Sequence, residues 1–232
     1  MNNKTKIIAV LVGIIAVAFV YTIAVNLQQG YKAYDYTAKK VLQAYNEINT
    51  ALYEAQDKYG NFNEWSAPDA SDKEKLEVFM QNMNIGKKID CGINDSSEQC
   101  WWNKDLLHYN YKGKTNPIQF AYTFVDKHEN LVYVYHNNYW GYLMVYDING
   151  KKGPNTRGKD IYYFQTGPDN VEFVPGGEDQ LGSNNRLRNG CFKNGCCCAW
   201  VIRTGNSEHL KVNKDGYCQN GKRLSWFNTF CK

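Results

Sequence analysis

One stretch near the start of the chain constrains the fold more than any other. Ile7–Val25 contains no charged residue, and as an α-helix it would be roughly 28 Å long, close to the thickness of a bilayer core. Lys4 and Lys6 precede it, which favours a cytoplasmic N-terminus. A cleaved signal peptide is the alternative, since Ala16–Ala18 fits a small-residue cleavage site, but the apolar run continues past it. Both alternatives export the rest of the chain.

An amphipathic pattern follows this apolar run. Apolar residues recur at alternating spacings of three and four, which places them on one face of an α-helix. The pattern predicts one continuous or gently bent helix from about Lys6 to Tyr59, with Gly60 as its C-cap. We expect the stripe to pack against the chain's own globular domain; a coiled-coil dimer is the alternative, but Ala and Tyr would make a weak seam. The stripe consists of Ala38, Val41, Tyr45, Ile48, Leu52, Ala55 and Tyr59.

The middle of the chain changes to the period-two pattern of β-strands. Ile118–Val125 and Leu131–Tyr135 flank a polar turn, and Tyr142–Ile148 and Lys159–Gln165 flank a longer connection, so two hairpins are predicted. A long helix followed by an antiparallel sheet belongs to the α+β class. The predicted order is a cytoplasmic N-terminus (1–6), a transmembrane helix (7–27), an amphipathic stalk helix (28–60) and an extracytoplasmic globular domain (61–232).

The chain has eight cysteines, an even number that allows complete pairing in an exported protein. Cys91 and Cys100 bracket a polar loop and predict a local disulfide. The other six form a disulfide-rich C-terminal tail, in which neighbouring cysteines seldom bond each other. We therefore expect the three consecutive ones to reach three different partners, although the connectivity stays open. The tail contains Cys191, Cys196, Cys197, Cys198, Cys218 and Cys231.

Composition and motifs disfavour several classes of function. The net charge of +4 is modest and the basic residues are scattered, which argues against a nucleic-acid partner. No metalloprotease, nucleophile-elbow, phosphate-loop or dinucleotide-binding motif occurs, so neither an enzyme nor a catalytic residue is expected. The 18 Tyr and 6 Trp indicate a Tyr-rich core or, as the sharper alternative, an aromatic surface that binds glycans or proteins.

The connection between the last two predicted strands offers oxygen ligands at Asp147, Asn149, Asn155 and Asp160. As an EF-hand it fails, because Lys152 stands where the glycine belongs and Gly158 where the glutamate belongs. A structural turn is therefore predicted, with calcium as the less favoured alternative and no other cofactor or metal.

Three segments resemble those of type IV pilins and type II secretion pseudopilins. Gly13–Ala18 is similar to the family's anchor, and Asp147–Asp160 to its D-x-N-G-x-x-G-P-N-x-x-G-x-D connection. Cys198–Ile202, followed by Gly205 and Asn206, resembles the C-x-A-W-V-I…G-N segment with which such folds staple their C-terminal strand. The resemblance implies a bacterial inner-membrane protein with one membrane pass and a periplasmic or extracellular domain. Its implied partners are the membrane and, through the N-terminal helix, like subunits or other pilin-like proteins.

The chain departs from the family at the processing site. If Gly13 is aligned with the family's glycine, Ile7 falls where the family has a glutamate, and no acidic residue precedes Asp35. The usual prepilin peptidase motif is therefore absent. The predicted function is a non-catalytic subunit of a type IV pilus or type II secretion assembly. The alternative is a membrane-tethered, adhesin-like binding module with aromatic loops such as Tyr135–Trp140.

Overall fold

The computed structural model describes residues 3–60, 77, 79–83, 85, 88–91, 120–137, 141–150, 152–153, 155–166, 172–177 and 183–231. The chain divides into two compact units, Met1–Tyr36 and Thr37–Lys232. Helix α1 spans Asn3–Tyr59, which confirms the predicted helix.

In the first unit, the described apolar side chains of α1 are exposed. Ile15, Phe19, Val20 and Tyr21 each have between 65% and 70% of their surface accessible. Among the residues that the structure describes, no helix meets the length and apolarity needed to cross a membrane. Most side chains of the predicted segment 7–27 lie outside the described set, so the transmembrane helix stays a prediction.

In the second unit, the stripe on α1 forms one side of the hydrophobic core. Val41, Ile48 and Leu52 are completely buried, and the half-buried Tyr45 stacks on Phe164 with ring centroids 6.0 Å apart. The helix ends where Gly60 adopts a φ of +90° and its N–H donates to the Gln56 carbonyl. Because apolar residues recur at alternating spacings of three and four, they lie on one face of α1, which is buried, while the charged face remains in solvent.

The other side of the core is a six-stranded sheet in the order β1-β2-β3-β4-β5-β6, with every neighbouring pair antiparallel. Both predicted hairpins are confirmed, β2 with β3 and β4 with β5, whereas β1 and β6 were not predicted. Every second residue of a strand faces α1. Tyr122, Val134 and Met144, for example, are paired across β2, β3 and β4 and join the core with α1. The strands are β1 Lys88–Cys91, β2 Phe120–Val125, β3 Leu131–Asn137, β4 Gly141–Asp147, β5 Ile161–Gln165 and β6 Val174–Pro175.

The C-terminal tail consists of short helical turns. Helix α2, Asn184–Leu187, begins at Ser183, whose Oγ accepts from the Asn185 N–H. A π-helical turn follows at Arg188–Lys193. Helix α3 spans Cys198–Thr204 and ends at Gly205, which has a φ of +65° and donates to the Val201 carbonyl.

Cys198–Ile202, the segment that resembles the family's C-x-A-W-V-I stretch, is helical in this chain. Cys198, Ala199, Trp200 and Val201 are consecutive and all buried. A short continuous apolar run does not distinguish a strand from a buried helix. The left-handed glycine that follows is the local signal that favours the helix.

Candidate functional site

The loop between β4 and β5 is closed by two buried carboxylates. Asp147, at the end of β4, is fully buried, and Asp160, just before β5, is 3% exposed. The Asp160 carboxylate accepts hydrogen bonds from the backbone N–H groups of Asn155 at 2.7 Å and Thr156 at 2.6 Å. The Asn149 N–H donates to Asp147 Oδ1 at 3.1 Å, and the Asn149 side-chain amide donates to Asp160 Oδ2 at 3.4 Å. The four predicted oxygen-bearing residues are therefore brought together.

The electrostatics of this pair suit a structural turn better than a cation site. Burial raises the pKa of Asp147 to about 7; the Asn149 N–H opposes the shift, and the nearby Asp160 carboxylate adds to it. The Asp160 oxygens already accept backbone amides, and Lys152 and Lys159 are exposed on the same loop. Within the described ranges, no group of three or more His, Cys, Asp or Glu side chains could hold a metal.

Backbone contact fixes this loop to the cysteine-rich tail. Gly158 has a φ of +76°, and a Cβ added there would lie 2.6 Å from the Gly195 carbonyl oxygen. A Cβ on Gly195 would likewise collide with the Arg157 carbonyl oxygen. The Gly158 carbonyl accepts from His209 Nε2 at 2.7 Å. Burial lowers the pKa of His209 to about 4, opposed by that hydrogen bond, so the imidazole is neutral near pH 7.

Two disulfides hold the tail together. Cys191 bonds Cys197 with Cα atoms 4.4 Å apart, and Cys218 bonds Cys231 with Cα atoms 5.4 Å apart. Cys197 is the member of the three consecutive cysteines that bonds Cys191, whereas Cys218 and Cys231 bond each other instead of reaching that run. The π-helical turn brings Cys191 and Cys197 together locally, and Cys218 pairs within its own loop; Cys196 and Cys198 are in neither bond. Cys100 lies outside the described residues, so the predicted Cys91–Cys100 bond stays a prediction.

The tail also carries exposed rings and stacked guanidinium groups. Phe227 is 95% exposed at a tight turn in which the Ser225 and Asn228 backbones hydrogen-bond each other. The neighbouring Trp226 packs on the buried Trp200, with ring centroids 5.3 Å apart. The Arg203 guanidinium lies 5.2 Å from the Trp226 ring centroid. Sequence reasoning placed the candidate aromatic surface at Tyr135–Trp140, whose side chains lie outside the described set, and missed this one.

A polar link joins α1 to the turn between β2 and β3. Glu47 accepts from His128 Nε2 at 2.6 Å and from Lys127 at 3.1 Å. Lys40 donates to the His128 carbonyl at 2.6 Å. An open pocket of about 220 Å³ beside the link is lined partly by Glu47, Glu54 and Lys127. Binding sites for small molecules are usually larger, at roughly 300–1,000 Å³, so we interpret these contacts as a structural clamp.

Comparison of the chain with known proteins gives no evidence on its function. No protein-family model, curated protein or solved structure matches the chain.

Proposed function

We propose that this chain is a membrane-anchored, non-catalytic, pilin-like subunit that assembles with like subunits through its N-terminal helix. The observation that carries the proposal is α1 itself. Ile7–Val25 contains no charged residue, and its described side chains Ile15, Phe19 and Val20 are about two-thirds exposed. A set of exposed apolar side chains on one helix requires lipid or neighbouring helices to cover it.

The second unit supports the same proposal. From Thr37 onward, α1 packs its stripe on an antiparallel sheet, and the Asp147–Asp160 loop is held against a disulfide-bonded tail. This combination agrees with what the resemblance to pilins and pseudopilins implies. Two experiments test the proposal, one for assembly through α1 and one for processing of the N-terminus.

Photocrosslinking in the producing cells tests that step. A photoreactive amino acid at Phe19 should give a ladder of homo-oligomers if subunits associate through α1. The same amino acid at Glu54, on the exposed face of the second unit, serves as the matched control and should give much weaker ladders. A monomer alone from both positions would contradict assembly.

N-terminal sequencing of the protein recovered from membranes tests whether the chain is processed in the pilin pathway. An N-methylated first residue is the result expected of a subunit processed in the pilin pathway. An intact Met1 or Asn2 would instead make the chain an ordinary anchored protein and would remove the pilus from the proposal.

The second candidate function is a tethered binding module, and the tail favours it. Phe227 is 95% exposed, Phe230 47% and Tyr217 44%. Aromatic side chains are enriched where proteins contact partners. Monomers in the crosslinking experiment together with ligand capture by the purified protein would favour this candidate over assembly.

A further inference from the structure

Charge is distributed unevenly along the chain. Residues 183–232 contain nine Lys and Arg but only two Asp and Glu, a local charge of +7. The preceding 182 residues contain 18 basic and 21 acidic side chains, a charge of −3. The modest total therefore conceals a strongly basic tail, and such a surface attracts anionic partners.

Within this tail, two arginines are stacked on aromatic rings. The Arg203 guanidinium lies 5.2 Å from the Trp226 ring centroid, and that of Arg223 lies 5.5 Å from the Tyr217 ring centroid. The Arg223 carbonyl accepts from the Asn228 side chain, next to Phe227, which connects the two stacks through one turn. We call Arg203, Tyr217, Arg223, Trp226 and Phe227 the aromatic–arginine surface.

Both guanidinium groups are available to an anion. Among the residues that the structure describes, no carboxylate forms an ion pair with Arg203 or Arg223. Arg203 is exposed and Arg223 half-buried. A guanidinium whose face lies on a ring keeps N–H donors that match a carboxylate in a bidentate geometry.

We propose that the aromatic–arginine surface binds an acidic polysaccharide of the polyuronate type. Sugar carboxylates would pair with the two arginines, while the apolar C–H faces of the rings would stack on Phe227 and Tyr217. A polymer that carries a carboxylate and an apolar face on each sugar ring matches a surface on which each of two guanidinium groups lies against an aromatic ring. This inference rests on the second candidate function, because export is what would bring the tail to the polysaccharides of cell surfaces.

The test uses the full chain in a non-ionic detergent and a fluorescent polygalacturonate oligomer, with binding followed by anisotropy. We expect binding that weakens as sodium chloride is added. The methyl ester of the same oligomer, which lacks the charge, should bind at least about tenfold more weakly. R203Q/R223Q should lose about tenfold in affinity or more, and Phe227→Ser about threefold to tenfold.

Matched substitutions separate this surface from charge and aromaticity in general. K58Q/K159Q also removes two positive charges, but from outside the aromatic–arginine surface. Lys58, like the two arginines, lies near an aromatic ring, with its Nζ 5.2 Å from the Tyr59 ring centroid. Tyr53→Ser removes a side chain that is 50% exposed on α1. Both variants should bind as the wild type does, and circular dichroism of every variant checks that it folds.

Several outcomes would overturn the inference. They are no binding of polygalacturonate, equal binding of its methyl ester, equal losses in the matched variants, or tighter binding of single-stranded DNA. Because this measurement needs neither a membrane nor a second subunit, its failure leaves the crosslinking result intact, and the reverse also holds.

Discussion

At the scale of single residues, Gly158 bears a tight steric constraint. Its φ of +76° disfavours any side chain, and an added Cβ would lie 2.6 Å from the Gly195 carbonyl oxygen. We expect Gly158→Ala to lower the free energy of unfolding by more than about 2 kcal/mol. Thermal and urea unfolding followed by Trp fluorescence measure the change.

Gly153→Ala is the control for that substitution. Gly153 lies in the same loop, but an added Cβ would have no atom within 4 Å. Its substitution should change the free energy of unfolding by less than about 0.5 kcal/mol. Equal effects at the two positions would contradict the close approach of loop and tail.

The environment of Asp147 predicts that the stability of the folded chain depends on pH. Its pKa is raised to about 7 in the folded chain, whereas an unfolded Asp titrates near 4. Between these values the folded state binds the extra proton, so the contribution of Asp147 to stability is lost as the pH rises through this window. Asp147→Asn should therefore gain stability relative to the wild type from pH 4 to 7, by up to about 1.4 kcal/mol per pH unit.

The measurement for Asp147 is the difference in unfolding free energy between variant and wild type at several pH values. Using a difference removes the opposite dependence of His209, whose lowered pKa costs stability as the pH falls below about 6.5. A difference that does not change from pH 4 to 7 would show that Asp147 titrates normally.

At the scale of elements, the stripe of α1 stabilises the second unit. Ile48 is completely buried and Glu54 lies on the exposed face of the same helix. Ile48→Ala should cost about 2–5 kcal/mol of unfolding free energy, because it leaves a cavity in the core. Glu54→Ala should cost less than about 0.5 kcal/mol, and similar losses for both variants would count against the packing.

The tail disulfides make a second prediction at this scale. Cys218 and Cys231 are 13 residues apart, so that C218S/C231S should lose about 3 kcal/mol in the chain-entropy estimate. Proteolysis under non-reducing conditions followed by mass spectrometry should recover Cys191 linked to Cys197 and Cys218 linked to Cys231. A peptide linking Cys198 to Cys218 would contradict the Cys218–Cys231 bond.

How far sequence predicts an element depends on how local its cause is. α1 and the two hairpins were predictable because spacing and turn residues lie within each segment. β1 and β6 were not, since strands of four and two residues are held by neighbours distant in sequence. The Cys191–Cys197 bond adjoins a π-helical turn at Arg188–Lys193 that residue spacing does not predict. The aromatic–arginine surface is assembled from Arg203, Tyr217 and Trp226 only after folding.

At the scale of the whole molecule, the proposed orientation predicts where the tail is found. Lys4 and Lys6 on the N-terminal side favour export of the second unit. Alkaline phosphatase joined to the C-terminal end of the full chain should therefore be active in bacterial cells. The same fusion to a chain without residues 7–27 is the control, and activity from that control or none from the full chain would contradict the orientation.

The contact between Gly158 and Gly195 also limits how this protein can be divided in engineering. The two residues are far apart in sequence, yet their backbones meet without side chains between them, and His209 adds a hydrogen bond to the Gly158 carbonyl. A graft that carries the tail alone would leave these backbones exposed. A graft of the tail should therefore carry the β4–β5 loop with it.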